Sequence, residues 1–152
     1  MRAVIQRVHG ANIIIDGKDS HTISEGLVVF LGVMQGDTTK QAEFLAQKIA
    51  ELRIFEDNME KMNLSLEDIN GDILIVSNFT LATDCKKGRR PSFDMSAPAA
   101  EAEKLYDAFV ELMKCRIAVK NVATGKFGAH MDVYVKNNGP VNIIIDTEKI
   151  GK

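Results

Sequence analysis

Residues 2–8 alternate. Ala3, Ile5 and Arg7 fall on one face and Arg2, Val4, Gln6 and Val8 on the other, which predicts a strand. Residues 12–16 are a second β-rich run. Asp16-Gly17 at its end is a tight-turn signal, so a hairpin is expected from Ala11 to about Ile23. Residues 26–35 are apolar on both faces, the pattern of a central strand. Gly36-Asp37-Thr38 stops that run and offers Asp37 or Thr38 as an N-cap. Ala42, Leu45, Ile49 and Leu52 then recur at helical spacing and predict an amphipathic helix over 39–53. Residues 56–62 are polar and read as a loop. Residues 64–69 predict a short strand, and Asn70-Gly71 a hairpin turn joining it to the next.

That next stretch, 72–81, is the most informative in the chain. It opens as the apolar run Ile73-Leu74-Ile75-Val76, the mark of a buried strand. It then turns polar, without a turn residue, at Ser77, Asn78, Phe79 and Thr80. Such a strand brings backbone N–H groups and small polar side chains to the edge of a rigid sheet, where a site can be built. The alternative is that Ser77 and Thr80 only cap the strand and bond nearby backbone. Residues 82–95 are long and irregular. Ser96, with Pro98 just inside, predicts a second helix to about Lys114, with Leu105, Phe109, Leu112 and Met113 as its apolar stripe. Residues 117–123 and a glycine-bearing stretch over 124–129 follow. Met131, Val133 and Val135 alternate as a strand, Asn137-Asn138-Gly139-Pro140 reads as a turn, and 141–146 is the last strand. Strands outnumber helices, and there is no repeat or linker. The prediction is one α+β domain over 1–152: a curved, mostly antiparallel, barrel-like sheet with two main flanking helices.

Composition narrows the function classes. The 152 residues are 45% hydrophobic and 26% charged, the balance of an ordinary globule large enough for a core. A net charge of −2 does not advertise nucleic-acid or membrane binding, so any RNA contact has to come from a local patch. Cys85 and Cys115 form no CxxC, which fits a reducing compartment. The N-terminus becomes charged at once and the longest apolar run, 27–34, is far short of the ~20 residues a membrane helix needs. A cytoplasmic protein is expected, with no membrane contact.

Several chemistries drop out. GxxxxGK, GxGxxG and GxSxG are all absent. His9, His21 and His130 are scattered and form no HxH or HExxH pair, so no metal is expected. Cys85 beside Lys86 and Lys87 lacks a nearby base for a nucleophilic role. The acidic pairs Glu56/Asp57 and Glu101/Glu103 read as solvated. Lys86, Lys87, Arg89 and Arg90 around Gly88 can be read in two ways, as phosphate contacts or as a solvated loop.

Two separated motifs carry a family resemblance. Ser77-Asn78-Phe79-Thr80-Leu81 resembles the SQFTL motif of D-aminoacyl-tRNA deacylases, and Asn137-Asn138-Gly139-Pro140-Val141-Asn142 resembles their NxGPVT motif. Residues 2–8, the basic 87–93 and the segment from Phe127-Gly128-Ala129 to Met131 are similar in order and spacing, so the resemblance spans the chain. Asn78 stands where the family usually has Gln, and Asn142 where it usually has Thr.

The resemblance implies a barrel-like sheet with flanking helices, a homodimer, and no cofactor or metal. It implies hydrolysis of the ester joining a D-amino acid, or glycine mischarged on tRNA-Ala, to the 3′ end of tRNA. Ser77, Phe79 and Thr80 are the implied catalytic residues, with backbone N–H groups of Phe79 and Thr80 facing the oxyanion and the Thr80 side chain positioning rather than attacking. Gly139 and Pro140, joined by a cis peptide and reaching into the partner's pocket, are the implied chiral wedge. Asn137, Met131 and Phe127 accompany them in binding substrate. Gln6 and Arg7 are implied to hold the wedge, and Lys86, Lys87, Arg89 and Arg90 to meet the tRNA. A wedge of this kind rejects L side chains by clash and reads nothing of a D side chain. Three other readings remain open from the residues: a non-catalytic tRNA- or RNA-binding module, a β-rich structural homodimer, and a related enzyme with a trans Gly-Pro that accepts small L-amino acids.

Overall fold

One long strand organises the sheet. The computed structural model describes residues 1–86, 88–116 and 118–149. In it, the first two predicted runs are a single strand, β1 (Arg2–Ile15). Its first half pairs antiparallel with β3 (Gly26–Gly32) and its second half with β2 (Asp19–Ile23). Along its other edge lies β8 (Met131–Asp146), antiparallel over almost the whole length. The β1–β8 register shifts between Gln6 and Val8 and again between Val8 and Gly10. Such irregularities bend a strand, and here the bend hands β1 from one neighbour to the other.

Beyond β3 the sheet turns parallel, with β6 (Asp72–Ser77) beside β3 and β7 (Asn121–Thr124) beside β6. Parallel neighbours need long crossovers, and α1 (Thr39–Glu51) and α2 (Ala99–Lys114) lie in those crossovers. The sheet is therefore mixed, antiparallel around β1 and parallel across its centre. α1 starts where expected: Gln41 reaches back to accept from the Thr38 N–H at 2.8 Å.

Several elements differ from expectation. The loop at 56–62 and the strand at 64–69 are replaced by a small hairpin, β4 (Phe55–Glu56) with β5 (Met62–Leu64). Residues 65–70 are then a helix-like turn. Asp68 accepts from the Ser65 N–H and hydroxyl, both at 2.8 Å, and Ser65 Oγ accepts from the Asp68 N–H at 3.1 Å. Asn70, at φ 48°, ends that turn rather than joining two strands. β6 stops at Ser77, and Phe79–Ala82 is a 3-10 turn. Gly32 lets this turn fold back onto β3, since a Cβ there would lie 3.0 Å from the Asn78 carbonyl oxygen. Asn137–Pro140 lie inside β8 and make no turn between strands. On α2 the buried positions are Ala102, Tyr106, Phe109, Val110 and Met113, with Leu105 and Leu112 only half-buried.

Two apolar clusters flank the central strands. Ala3, Ile5, Leu27, Leu31, Ile73 and Ile75 pack against Leu45, Ile49, Phe109 and Met113 of the helices. Val28, Leu74 and Val76 face the other way, onto Val8, Ile13, Ile15 and Ile23, with Met131, Val133 and Val135 at the margin. This is why residues 26–32 and 73–76 are apolar on both faces. The curl nearly closes into a barrel, with the His21 ring nitrogen 2.8 Å from the Thr124 carbonyl oxygen across the gap between β2 and β7. Among the described residues no helix is long and apolar enough to cross a membrane.

Candidate active site

The end of β6 carries the first cluster. Ser77 is half-buried opposite Leu31, and the Asn78 N–H donates to the Leu31 carbonyl at 2.8 Å. Asn78 then caps the turn with its side chain. Its Oδ1 accepts from the Thr80 N–H at 3.2 Å and from the Thr80 hydroxyl at 2.5 Å. Phe79 and Thr80 are exposed, and no described residue accepts from the Phe79 N–H. The Leu81 carbonyl takes a bond from Arg2 Nη1 at 2.5 Å, while Asp146 holds the same guanidinium at 2.9 and 3.0 Å. The strand end is thus tied to the end of the β1–β8 ladder where Arg2 pairs with Asp146.

Behind it, the Ile75 carbonyl accepts from the Tyr106 hydroxyl at 2.9 Å and from the Gly125 N–H at 3.0 Å. Burial, with the nearby Asp107 charge second, pushes the Tyr106 phenol above its usual range, so it stays a donor. Phe127 lies against Tyr106 with ring centroids 6.1 Å apart, and Met131 packs on Gly125 so closely that a Cβ there has no room. A cavity of about 450 Å³ opens here between Phe127, Lys126 and α2. Phe127 and Met131 therefore gather at this end of the sheet.

Gly139 and Pro140 sit in a second cluster, exposed on β8 and joined by a cis peptide. Arg7, 3% exposed, lies beneath them. Its Nε donates to the Asn138 carbonyl at 3.2 Å and its Nη1 to the Ile54 carbonyl at 2.7 Å. Asn137 braces the segment from the other side, its Oδ1 accepting from the Val141 N–H at 3.1 Å and its amide donating to Asn142 Oδ1 at 2.9 Å. Gln6 donates to the same Asn142 oxygen at 2.9 Å. Asn142 is thus an acceptor for two amides.

The two clusters are separate within one chain. One is anchored at Arg2 and the other at Arg7, five residues apart on an extended strand, or roughly 17 Å at ~3.3 Å per residue.

The basic loop springs from the first cluster. Asp84 and Ser92 close its base with paired backbone bonds of 2.9 and 3.0 Å. Lys86, Arg89 and Arg90 project into solvent, and Lys87 lies outside the described residues. Phe93, just past the loop, meets Phe79 edge-on at 5.1 Å, so the flank of the loop lies against the turn that carries Thr80. Glu56 and Asp57 are not merely solvated. Glu56 Oε1 lies 3.4 Å from Arg7 Nη2. Asp57 accepts backbone bonds from Lys61 and Met59, which hold its carboxyl below the usual carboxylate range. Among the described residues no three His, Cys, Asp or Glu side chains gather as a metal site.

Comparison with known proteins identifies the family. The family model for D-Tyr-tRNA(Tyr) deacylase matches residues 4–146. The chain belongs to that family. It is accordingly an enzyme, a hydrolase acting on ester bonds. It is 53% identical over 150 residues to a D-aminoacyl-tRNA deacylase of Thermosipho melanesiensis, covering 99% of each chain. It is 48% identical, at the same coverage, to one of Clostridium acetobutylicum. A solved structure of a c-Myc DNA Unwinding Element Binding Protein superimposes with a TM-score of 0.90 at 38% identity, covering 96% of this chain and 98% of that one.

Tyr106, Glu56 and the capping role of Asn78 were not found from the sequence. Only Asn78 carried a local signal, an amide two residues before a hydroxyl at a strand end.

Proposed function

We propose that the chain hydrolyses the ester of D-aminoacyl-tRNA, and that Gly139-Pro140 of one copy screens the strand end Ser77–Thr80 of a second copy. The observation that carries this reading is the separation of the two clusters along β1. Each is exposed, and a chain alone does not bring its own Gly139 to its own Thr80. A second copy supplies the missing half. β8 suits such a pairing: among the described residues only β1 pairs with it, and Tyr134 and Ile144 on it are 59% and 69% exposed. A homodimer follows.

Water adds to the ester carbonyl carbon, the carbonyl oxygen takes the charge, and the carbon–oxygen bond to the ribose then breaks, with a proton passing to the ribose oxygen. The N–H groups of Phe79 and Thr80 are the donors for that charge. Thr80 reaches it when the substrate oxygen replaces Asn78 Oδ1, which already occupies the Thr80 N–H and hydroxyl in the free chain. Among the described residues the Thr80 hydroxyl is bonded to Asn78 Oδ1, which is no base, so it positions rather than attacks. The substrate's terminal ribose hydroxyl helps place the water. Ser77, Phe127 and Met131 shape the pocket, and the Gly139 and Pro140 carbonyls receive the amino group.

Selection works by exclusion. Proline fixes φ and the segment is braced by Arg7, Gln6 and Asn137, so an L side chain pointing at it finds nothing that can rotate away. Glycine, with no side chain, passes, including glycine on tRNA-Ala. The cations Lys86, Lys87, Arg89 and Arg90, which follow Thr80 in the chain, meet the phosphates of the acceptor end. The test is Pro140→Ala, assayed on one tRNA carrying a D-amino acid or its L-enantiomer. The ratio of D to L hydrolysis falls in the variant. An unchanged ratio overturns the wedge.

A further inference from the structure

We propose that Glu56, carried on the β4–β5 hairpin, is a positioning residue for Gly139-Pro140 and so sets the D-over-L ratio. The inference rests on the wedge reading above. Arg7 is the link. A guanidinium buried to this depth needs every donor placed and a countercharge close by. Its donors go to two separate elements, the Ile54 carbonyl at the foot of the hairpin and the Asn138 carbonyl just before Gly139. The remaining nitrogen, Nη2, lies 3.4 Å from Glu56 Oε1 and 3.4 Å from Asn138 Oδ1. Glu56 is the one acid within ion-pair distance of Arg7 among the described residues.

Gly139 sits directly on this group. At φ 130°, a Cβ there would lie 3.3 Å from Arg7 Nη2 and 2.8 Å from the Val141 nitrogen. The backbone of the wedge therefore rests on the guanidinium, and a rotation of the guanidinium moves it. Glu56 opposes that rotation through its contact with Nη2. Its own backbone is held: Asp57 accepts from Met59 and Lys61 N–H groups at 2.8 and 3.1 Å and from the Asn63 amide at 3.1 Å, and Arg53 Nε donates to the Asn63 carbonyl at 2.8 Å. The hairpin is thus a stiff bracket, and Glu56 is its contact with the group under the wedge.

The test uses Glu56→Ala, Glu56→Gln, Pro140→Ala and the Glu56→Ala/Pro140→Ala double variant of the full chain, each assayed on D- and L-esters of the same tRNA. Glu56→Ala lowers the D-over-L ratio about threefold, the size expected when an ion pair exposed on one side is removed. Glu56→Gln, which keeps a neutral acceptor, lowers it less. In the Pro140→Ala background Glu56→Ala changes the ratio no further. Impaired folding alone would scale both esters together and leave the ratio where it was. If Pro140→Ala shifts the ratio and Glu56→Ala does not, the positioning role is overturned and the wedge stands. If Pro140→Ala itself leaves the ratio unchanged, the wedge reading falls and this inference falls with it.

Discussion

Thr80 is the side chain that invites a nucleophilic role, and its surroundings argue against one. Its hydroxyl is spent on Asn78 Oδ1, and Asn78 offers no base. Thr80→Val should lower kcat for a D-ester about tenfold, the effect of removing one positioning hydrogen bond, and leave clear turnover. Complete loss of turnover, with the variant folded, would reinstate the nucleophile. Arg7 shows the opposite case. In the sequence it is one cation in an alternating strand, on the same face as Ala3 and Ile5. That pattern places it inside, and it is buried. Its partner Asn138 is 131 positions away and Glu56 is 49 away. Nothing local in the sequence joins these three, so Glu56 read as a solvated acid. Tyr106 was missed for the same reason, since the Ile75 carbonyl it holds lies 31 positions off.

At the scale of elements, periodic stretches were legible and turn chemistry was not. Helix spacing located α1 because packing and capping agree there. Asn70-Gly71 misled, because a residue at positive φ followed by glycine ends a helical turn as readily as it joins two strands. Asn137–Pro140 misled too. Four turn-forming residues sit inside a strand because the ladder is bulged at Val8 and Arg7 holds the excess length from below. The basic loop is the element with a direct functional prediction. Its base is closed by Asp84 and Ser92 and its flank by the Phe79–Phe93 contact. Replacing Arg89 and Arg90 with Ala should weaken tRNA binding and flatten its salt dependence by about two in the log–log slope, because each arginine that neutralises a phosphate releases its counterion. An unaltered slope in binding titrations would make the loop a solvated one.

For the whole molecule, β1 acts as a spacer. It sets Arg2 and the strand end at one position and Arg7 and Gly139-Pro140 at another. The fold class was readable from strand count and two amphipathic helices, while the parallel centre was not, since neighbours in the sheet are remote in the chain. The family follows from similarity over nearly the full length. The division of labour between two copies is the reading that the separation of the clusters supports.

The measurement that bears most directly on that account is hydrolysis by the unaltered chain of one tRNA charged in parallel with a D-amino acid, its L-enantiomer and glycine. The account predicts release of the D-amino acid and of glycine with the L-ester spared. Equal release of both enantiomers would contradict the wedge, and tRNA binding without release from any ester would leave a binding module in place of the enzyme.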